Sequence, residues 1–235
     1  MPLPTLDTPK YELRLPVSGK VIQYRPYLVK EEKILLLALE SKDEKQILNA
    51  TREIISSCTF GKVNPDELPL FELEYIYLKL RTKSVGETVQ LNLPCEKDGE
   101  EHLVNVNLDE VELIVPPESK NRVVQLTKNI GITLSYPTLG KISEIASDDN
   151  KAESTFKLIM ACTESIYDAE KVYKRDSFNE KELRDFLESF NADQFKKLYD
   201  FFSNLPHLEK TIKFKCKKCG HENVIKVTGL QSFFV

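Results

Sequence analysis

Two cysteines near the end of the chain have the spacing of a zinc knuckle. Residues 211–227 read TIKFKCKKCGHENVIKV, in which Cys216 and Cys219 are separated by two residues and followed by Gly220. Two thiolates at this spacing can point at one tetrahedral Zn²⁺, and the glycine permits a tight turn after them. Strand-like residues follow the motif, which favours a zinc-ribbon hairpin over a redox motif, because a redox CxxC usually opens a helix.

An eroded copy of this segment lies earlier in the chain. Residues 89–106 read VQLNLPCEKDGEEHLVNV, so Cys95 aligns with Cys216 and Asp98 stands where Cys219 does. The repetition suggests that the protein contains two versions of one unit.

Together the two knuckles supply one four-coordinate set of ligands if the copies pair through a pseudo-twofold axis. The predicted metal ligands are Cys95, Asp98, Cys216 and Cys219. His102 and His221 are alternatives for the fourth position, since a carboxylate ligates zinc less often. One zinc bound there would be structural, because the set leaves no open position for water. The alternative is a decayed site, in which the hairpins persist by packing and the thiols bind no metal.

Other landmarks also recur in the same order. The sequence RPYL at 25–28 corresponds to YPTL at 136–139, and Cys58-Thr59 corresponds to Cys162-Thr163. The pattern predicts an α+β fold of two tandem pseudo-repeats, 1–115 and 121–235, joined by a linker at 116–120. Each repeat should contain short antiparallel β-hairpins and two to four helices, and the second ends in the zinc-ribbon-like hairpin. The alternative is an α+β chain whose parts only look alike.

Hydrophobic periodicity predicts the elements that position these residues. Alternating apolar residues predict strand pairs around Ser18-Gly19, Cys95 and Cys216, and a further pair within 124–134. The apolar run ILLLAL at 34–39 is too wide for an amphipathic stripe, so it should be buried on most sides. Cys58 and Cys162 fall on apolar helix faces and are expected to pack in the core. Helices are predicted over 30–40, 43–57, 70–80, 151–162, 179–190 and 192–202.

Composition narrows the classes of function. The net charge is −4, whereas a general nucleic-acid binder needs an excess of Lys and Arg to displace counterions. The N-terminus has no signal-peptide pattern and no apolar stretch is long enough to span a bilayer, so an intracellular protein without a membrane partner is expected. Lysines surround the second knuckle and would face solvent, an acidic partner or nucleic acid: Lys210, Lys213, Lys215, Lys217, Lys218 and Lys226.

No catalytic motif is recognised, so we expect that the protein is not an enzyme. The sequence has no glycine-rich phosphate loop, no nucleophile elbow and no HExxH. The aromatic end of the chain either folds back on the second repeat or docks on a partner. The predicted partner-binding residues are Phe233 and Phe234.

The Cys-x-x-Cys-Gly-x-Glu-Asn hairpin at 216–223 and the closing Gly-Leu-Gln-Ser-Phe-Phe at 229–234 resemble the T4-like phage baseplate protein family. That family contains the baseplate hub subunit and the hub assembly catalyst of contractile-tailed phages. The chain departs from the pattern at Asp98, where a second knuckle would have Cys, which bears on the metal and not on the fold. The resemblance implies a hub component or hub-assembly factor that acts through contacts with other hub proteins.

The resemblance also implies synthesis in the host cytoplasm and, for a protein that stays in the particle, a place in the virion tail. Hub positions tend to be symmetric, so homo-oligomerisation is a further expectation. The competing hypothesis is a zinc-ribbon module that binds nucleic acid through Lys217 and Lys218, and salt-dependent binding would distinguish it.

Overall fold

The fold is of the predicted α+β class, with helices and small antiparallel sheets. The computed structural model describes residues 6–41, 43–145 and 151–233. Their contacts divide the chain into two compact units. The first unit comprises Met1–Pro65, Phe71–Ile114 and His207–Val235, and the second comprises Asp66–Leu70 and Val115–Pro206.

The division by contacts differs from the division by sequence repetition. The chain leaves the first unit after Ile114 and re-enters it at His207, so both knuckle hairpins belong to the first unit. The predicted linker at 116–120 lies just after Ile114 and forms a short 3₁₀ turn, Pro117–Lys120, with Ser119 buried. The repeats at 1–115 and 121–235 stay a prediction.

The elements follow one another along both units. The strands are β1 (Tyr11–Arg14), β2 (Val21–Tyr24), β3 (Thr88–Pro94), β4 (Glu101–Asn107), β5 (Glu112–Ile114), β6 (Val123–Gln125), β7 (Gly131–Leu134), β8 (Thr163–Tyr167), β9 (Val172–Lys174), β10 (His207–Lys215) and β11 (Glu222–Thr228). The α-helices are α1 (Val29–Ser41), α2 (Glu44–Cys58), α3 (Leu70–Val85), α4 (Leu139–Ile145), α5 (Lys151–Cys162), α6 (Glu180–Glu188) and α7 (Ala192–Ser203).

The predicted strand pairs are confirmed as antiparallel ladders. β1 pairs with β2, β3 with β4, β6 with β7, and β10 with β11. The short β5, which the sequence did not predict, adds to β10 over residues 207–209 only. In the second unit β8 and β9 extend the β6–β7 pair to four strands.

The core of the first unit lies between the inward faces of the two knuckle hairpins and α3. Alternate residues of each strand face inward, as the period of a strand requires. The buried members are Leu78, Leu91, Val106, Leu108, Val111, Leu208, Ile212, Val227 and Phe233.

The prediction that Phe233 binds a partner is not supported by its position. Its side chain is fully buried in the core of the first unit, packed among strand residues, and cannot reach a partner in this conformation. Folding back was the other expectation for the aromatic end, and it holds for Phe233. Phe234 lies outside the described residues.

The prediction that residues 34–39 are buried on most sides is wrong. Leu36 and Leu37 are 54% and 56% exposed, and only Ala38 is fully buried among the described side chains of this run. Helix α1 packs mainly against α2, so one face of α1 is buried and the opposite face is exposed. The breadth of the apolar run at 34–39 therefore overestimated how many elements pack against this helix.

The second unit packs α5, α6 and α7 around its sheet. Its core contains Ile132, Ile159, Leu183 and Leu198 with their neighbours. Both α6 and α7 begin at a full capping box, in which an Asn side chain and a third-position Glu or Gln satisfy the first main-chain N–H groups. These signals explain why both predicted helices form where expected.

Both cysteines expected in the core are buried there, and each ends a helix in the same way. Thr59 follows Cys58 and donates its hydroxyl to the carbonyl four residues earlier, and Thr163 does the same after Cys162. The Cys58 carbonyl accepts the Arg25 N–H at 3.0 Å. The Cys162 carbonyl accepts the N–H of Ser135, the residue that follows β7, at 2.7 Å. Burial raises the pKa of each thiol to about 11, so both stay protonated near neutral pH.

A buried ion pair fixes the start of α1. Arg25 Nη2 lies 2.8 Å from Glu31 Oε1, and the Glu31 residue is only 2% exposed. The Leu28 N–H and the Ser57 hydroxyl also donate to this carboxylate, at 2.7 and 3.0 Å. Burial alone would raise the pKa of Glu31, but the hydrogen bonds from Arg25, Leu28 and Ser57 outweigh it and lower the pKa from 4.5 to about 2.

We expect Glu31→Gln to lower the free energy of unfolding by about 3 kcal/mol, because it leaves the Arg25 guanidinium buried without its partner charge. Urea denaturation at pH 7 measures the loss. Glu87→Gln is the matched control, since Glu87 pairs with Lys83 on the exposed surface and its loss should change little.

The same pair sets a pH dependence. A carboxyl whose pKa is depressed by folding stabilises the fold above its unfolded pKa, and this contribution is lost as the pH falls from 4.5 towards 2. The free energy of unfolding should therefore fall less steeply between pH 4.5 and 2 in Glu31→Gln than in the parent protein. Parallel curves for the two proteins would contradict the assignment.

Candidate metal centre

The two knuckle hairpins turn in the same way at their tips. The N–H of Gly99 donates to the Cys95 carbonyl at 2.9 Å, and the N–H of Gly220 donates to the Cys216 carbonyl at 3.0 Å. Both glycines have a positive φ, 71° and 74°, a conformation that costs glycine nothing. The sequence alignment of the two turns is therefore matched by their main-chain geometry.

The tips bring the four predicted ligands together. One ligand atom from each of Cys95, Asp98, Cys216 and Cys219 lies within 4.8 Å of every other. The sulfurs of Cys95 and Cys219 are 3.7 Å apart, and an Asp98 oxygen is 3.7 Å from the Cys216 sulfur. A tetrahedral ion with bonds of about 2.3 Å holds its sulfurs about 3.8 Å apart, so the donor set fits zinc in both chemistry and spacing.

The two histidines considered as alternative ligands have different surroundings. His102 Nε2 is 3.2 Å from the Cys216 sulfur, and its ring lies 5.5 Å from the Phe214 ring. His102 therefore contacts one ligand of the cluster but does not belong to the set of four residues. The imidazole of His221 instead faces the Glu96 carboxylate at 4.0 Å.

Main-chain N–H groups favour the anionic form of two of the ligands. The N–H groups of Cys219 and Lys218, each 3.4 Å from the Cys216 sulfur, outweigh burial and lower the pKa of that thiol to about 7. The N–H of Glu100 donates to Asp98 and lowers the pKa of its carboxyl to about 2. The His221 N–H favours the thiolate of Cys219, but burial and hydrogen bonds with Cys216, Cys95 and Asp98 outweigh it and raise the pKa of Cys219 to about 11. Because metal ligands must be deprotonated, Cys216 and Asp98 are prepared for a cation, and Cys219 would lose its proton as the metal binds.

One further contact joins the tips and was not found from the sequence. The Asn223 side chain is 1% exposed and accepts the Glu96 N–H at 2.9 Å, across the two hairpins. Its amide nitrogen donates to the His221 carbonyl at 3.3 Å. The sequence feature that could have predicted this contact is a polar residue at an inward-facing position of β11, where the alternation of the strand favours an apolar residue.

The lysines around the second knuckle fall into two groups. Lys210, Lys218 and Lys226 pair with Glu110, Glu100 and Glu209. Within the described part of the chain, the other three have no ion pair and are exposed: Lys213, Lys215 and Lys217.

Comparison with known proteins identifies a family. The model of the family described as T4 bacteriophage base plate protein matches residues 8–235, nearly the whole chain. No curated protein and no solved structure matches. The match to this family does not favour the competing hypothesis that the protein is a nucleic-acid-binding module. Among the described helices, none has both the length and the apolar character needed to cross a bilayer.

We expect Asn223→Ala to lower the free energy of unfolding by about 1–2 kcal/mol, because the Glu96 N–H loses its acceptor. Denaturant unfolding measures the change. Asn92→Ala is the control, since Asn92 lies on the exposed side of β3 and, among the described residues, its side chain hydrogen-bonds to Glu101 alone. Equal effects of the two substitutions would show that Asn223 does not help join the tips.

Proposed function

Because the chain belongs to the T4 bacteriophage base plate protein family, we propose that it is a component of the baseplate hub or a factor that assembles the hub. The observation that carries the proposal is the family match over residues 8–235, which covers both units. Membership supports a structural role in the phage baseplate and contact with other phage structural proteins. The narrower assignment to the hub rests on the closing hairpin and the Gly-Leu-Gln-Ser-Phe-Phe segment at 229–234.

The proposed function works through protein contacts and includes no chemical step, so the protein is not an enzyme in this proposal. It would be made in the host cytoplasm and act during tail assembly, with a place in the tail if it remains there. Self-association fits a symmetric hub.

The proposed function also includes one structural zinc at Cys95, Asp98, Cys216 and Cys219. These four side chains would fill a tetrahedral shell, and the zinc would supply a cross-link rather than a reactive water. The cross-link would be long-range, since Cys95 and Cys219 are 124 residues apart in the sequence. A closure of that length restricts the unfolded chain and so stabilises the folded one.

An internal duplication is the simplest origin for this arrangement. It is supported by the matching turns at Gly99 and Gly220 and by the matching helix ends at Cys58 and Cys162. In this proposal Asp98 replaced a cysteine of the ancestral knuckle, and the carboxylate kept the site anionic.

We expect purified protein to carry about one zinc per chain without added metal, and a chelator to lower its thermal stability. Cys219→Ser should lose the metal, because it removes one of three thiolates. Elemental analysis and a chelator titration measure both effects.

Two controls define the ligand set. Cys162→Ala removes a buried thiol from the second unit and should keep the zinc. His102→Gln should also keep it, because His102 lies outside the four-residue set. Zinc-free parent protein would overturn the metal site, and zinc lost from His102→Gln would move the fourth ligand from Asp98 to His102.

For the hub assignment, we expect a discrete complex when the purified protein is mixed with the other hub proteins of the same phage. Size-exclusion chromatography with light scattering gives its mass and composition. A capsid protein from that phage is the control and should not join. Binding to none of the hub proteins would overturn the assignment, whatever the metal content.

A further inference from the structure

The two knuckle hairpins border an open groove that the metal site does not use. Its volume is about 750 Å³, and it is lined by residues 100–105 on one side and by Phe214, Lys215, Lys217 and Lys218 on the other. The rings of His102 and Phe214 meet at 5.5 Å between the two sides. Half-buried Val104 and Phe214 make this part of the lining apolar.

The β4 side of the groove is an unpaired strand edge. The Cys95 N–H donates to the Glu100 carbonyl, and at the other end of the ladder the Leu108 N–H donates to the Glu87 carbonyl. Bonded and non-bonded pairs alternate in an antiparallel ladder, so Glu101, Leu103 and Asn105 turn their main-chain groups away from β3.

The same argument applies to β10. The Cys216 N–H bonds to the His221 carbonyl and the Gly229 N–H bonds to the Leu208 carbonyl, which leaves Thr211, Lys213 and Lys215 turned away from β11. β5 covers this edge only over residues 207–209. Within the described part of the chain, the outward main-chain groups of these three residues and of Glu101, Leu103 and Asn105 have no hydrogen-bond partner.

The charge at the groove selects the kind of strand that would fill it. Lys215 and Lys217 line it and Lys213 lies beside it, and none of the three has an ion pair within the described residues. Lys218 is already paired with Glu100, and the carboxylate of Glu101, which also lines the groove, accepts a hydrogen bond from the Asn92 side chain, so Lys215 and Lys217 are the charges left for a partner. An incoming segment would therefore gain from acidic side chains towards the lysines and apolar side chains over His102 and Phe214.

We propose that this groove binds an extended, acidic segment of a partner protein as an added β-strand. The main chain of the segment would bond to the open edge of β4, on the side that faces β10, and alternate side chains would set its specificity. The six residues at 100–105 accommodate a segment of about five or six residues, at roughly 3.3 Å each. The inference deepens the proposed function by giving the chemistry of one partner contact.

Fluorescence anisotropy with the full chain tests this binding. The probe is a fluorescein-labelled peptide of about eight residues that alternates valine and glutamate, and a valine–lysine peptide is its charge control. We expect the acidic peptide to bind and the basic peptide to bind at least about tenfold more weakly. Lys215→Glu combined with Lys217→Glu should reverse that preference.

Two proline variants test the strand edge. Leu103→Pro removes an N–H that points into the groove but takes part in no β3–β4 bond, and an edge strand tolerates such a proline. Val224→Pro is the matched control, because Val224 is also exposed and faces the outer edge of β11. We expect Leu103→Pro to lower the affinity for the acidic peptide by roughly tenfold, and Val224→Pro to leave that affinity unchanged.

Several results would overturn the proposal: no saturable binding of the acidic peptide, equal binding of the basic one, or equal losses in the two proline variants. Displacement of the peptide by a tighter-binding single-stranded oligonucleotide would assign the groove to nucleic acid instead. If Leu103→Pro does not fold, by its circular dichroism spectrum, the charge-reversed lysine pair decides the question. Peptide binding by a chain that joins no hub complex would support the groove while rejecting the hub assignment.

Discussion

The first unit depends on bringing together two hairpin tips that are far apart in the sequence. Cys95 and Cys219 are separated by 124 positions, yet their sulfurs lie 3.7 Å apart. Joining them restricts a long stretch of chain, and contacts at the tips and in the core must offset that loss of entropy. The Asn223 amide, the shared apolar core and the cluster of three cysteines and Asp98 all act at this junction. The groove beside it exists because the hairpins meet there without sharing a ladder.

The five cysteines show how far surroundings decide the chemistry of one side chain. Cys58 and Cys162 sit in apolar cores, where burial disfavours the thiolate. Cys216 also has little exposed surface, but it lies at a hairpin tip, where two main-chain N–H groups point at its sulfur and favour the anion. The spacing of CxxC supplies those donors, because the turn that follows the first cysteine presents consecutive N–H groups to it. A cysteine pattern is therefore informative when it also fixes the backbone.

Local patterns predicted most of the helices, four strand pairs and the candidate ligands, but they missed β5, β8, β9 and α4 and failed where the outcome depends on neighbours. Alternation around Cys95 and Cys216 was sufficient to locate both hairpins, and capping residues located α6 and α7. The three residues of β5 are too few to show a period, and they pair only because β10 lies beside them. The exposure of Leu36 reflects a missing neighbour, which no property of the helix itself reveals. Asn223 breaks the alternation of its strand, so the local pattern could have indicated this buried polar residue.

The discontinuous first unit has a consequence for the order of synthesis. Everything that builds the second unit has left the ribosome once Pro206 has emerged, whereas the first unit still lacks β10, β11 and Phe233. The second unit is therefore complete first, although more than half of the first unit precedes it in translation. Until the last strands arrive, Leu91, Val106 and Leu108 have no cover from Leu208, Ile212 and Val227. A premature stop in the final hairpin would thus expose apolar surface on β3 and β4, far from the stop in the sequence, and such a chain would be a target for nascent-chain chaperones.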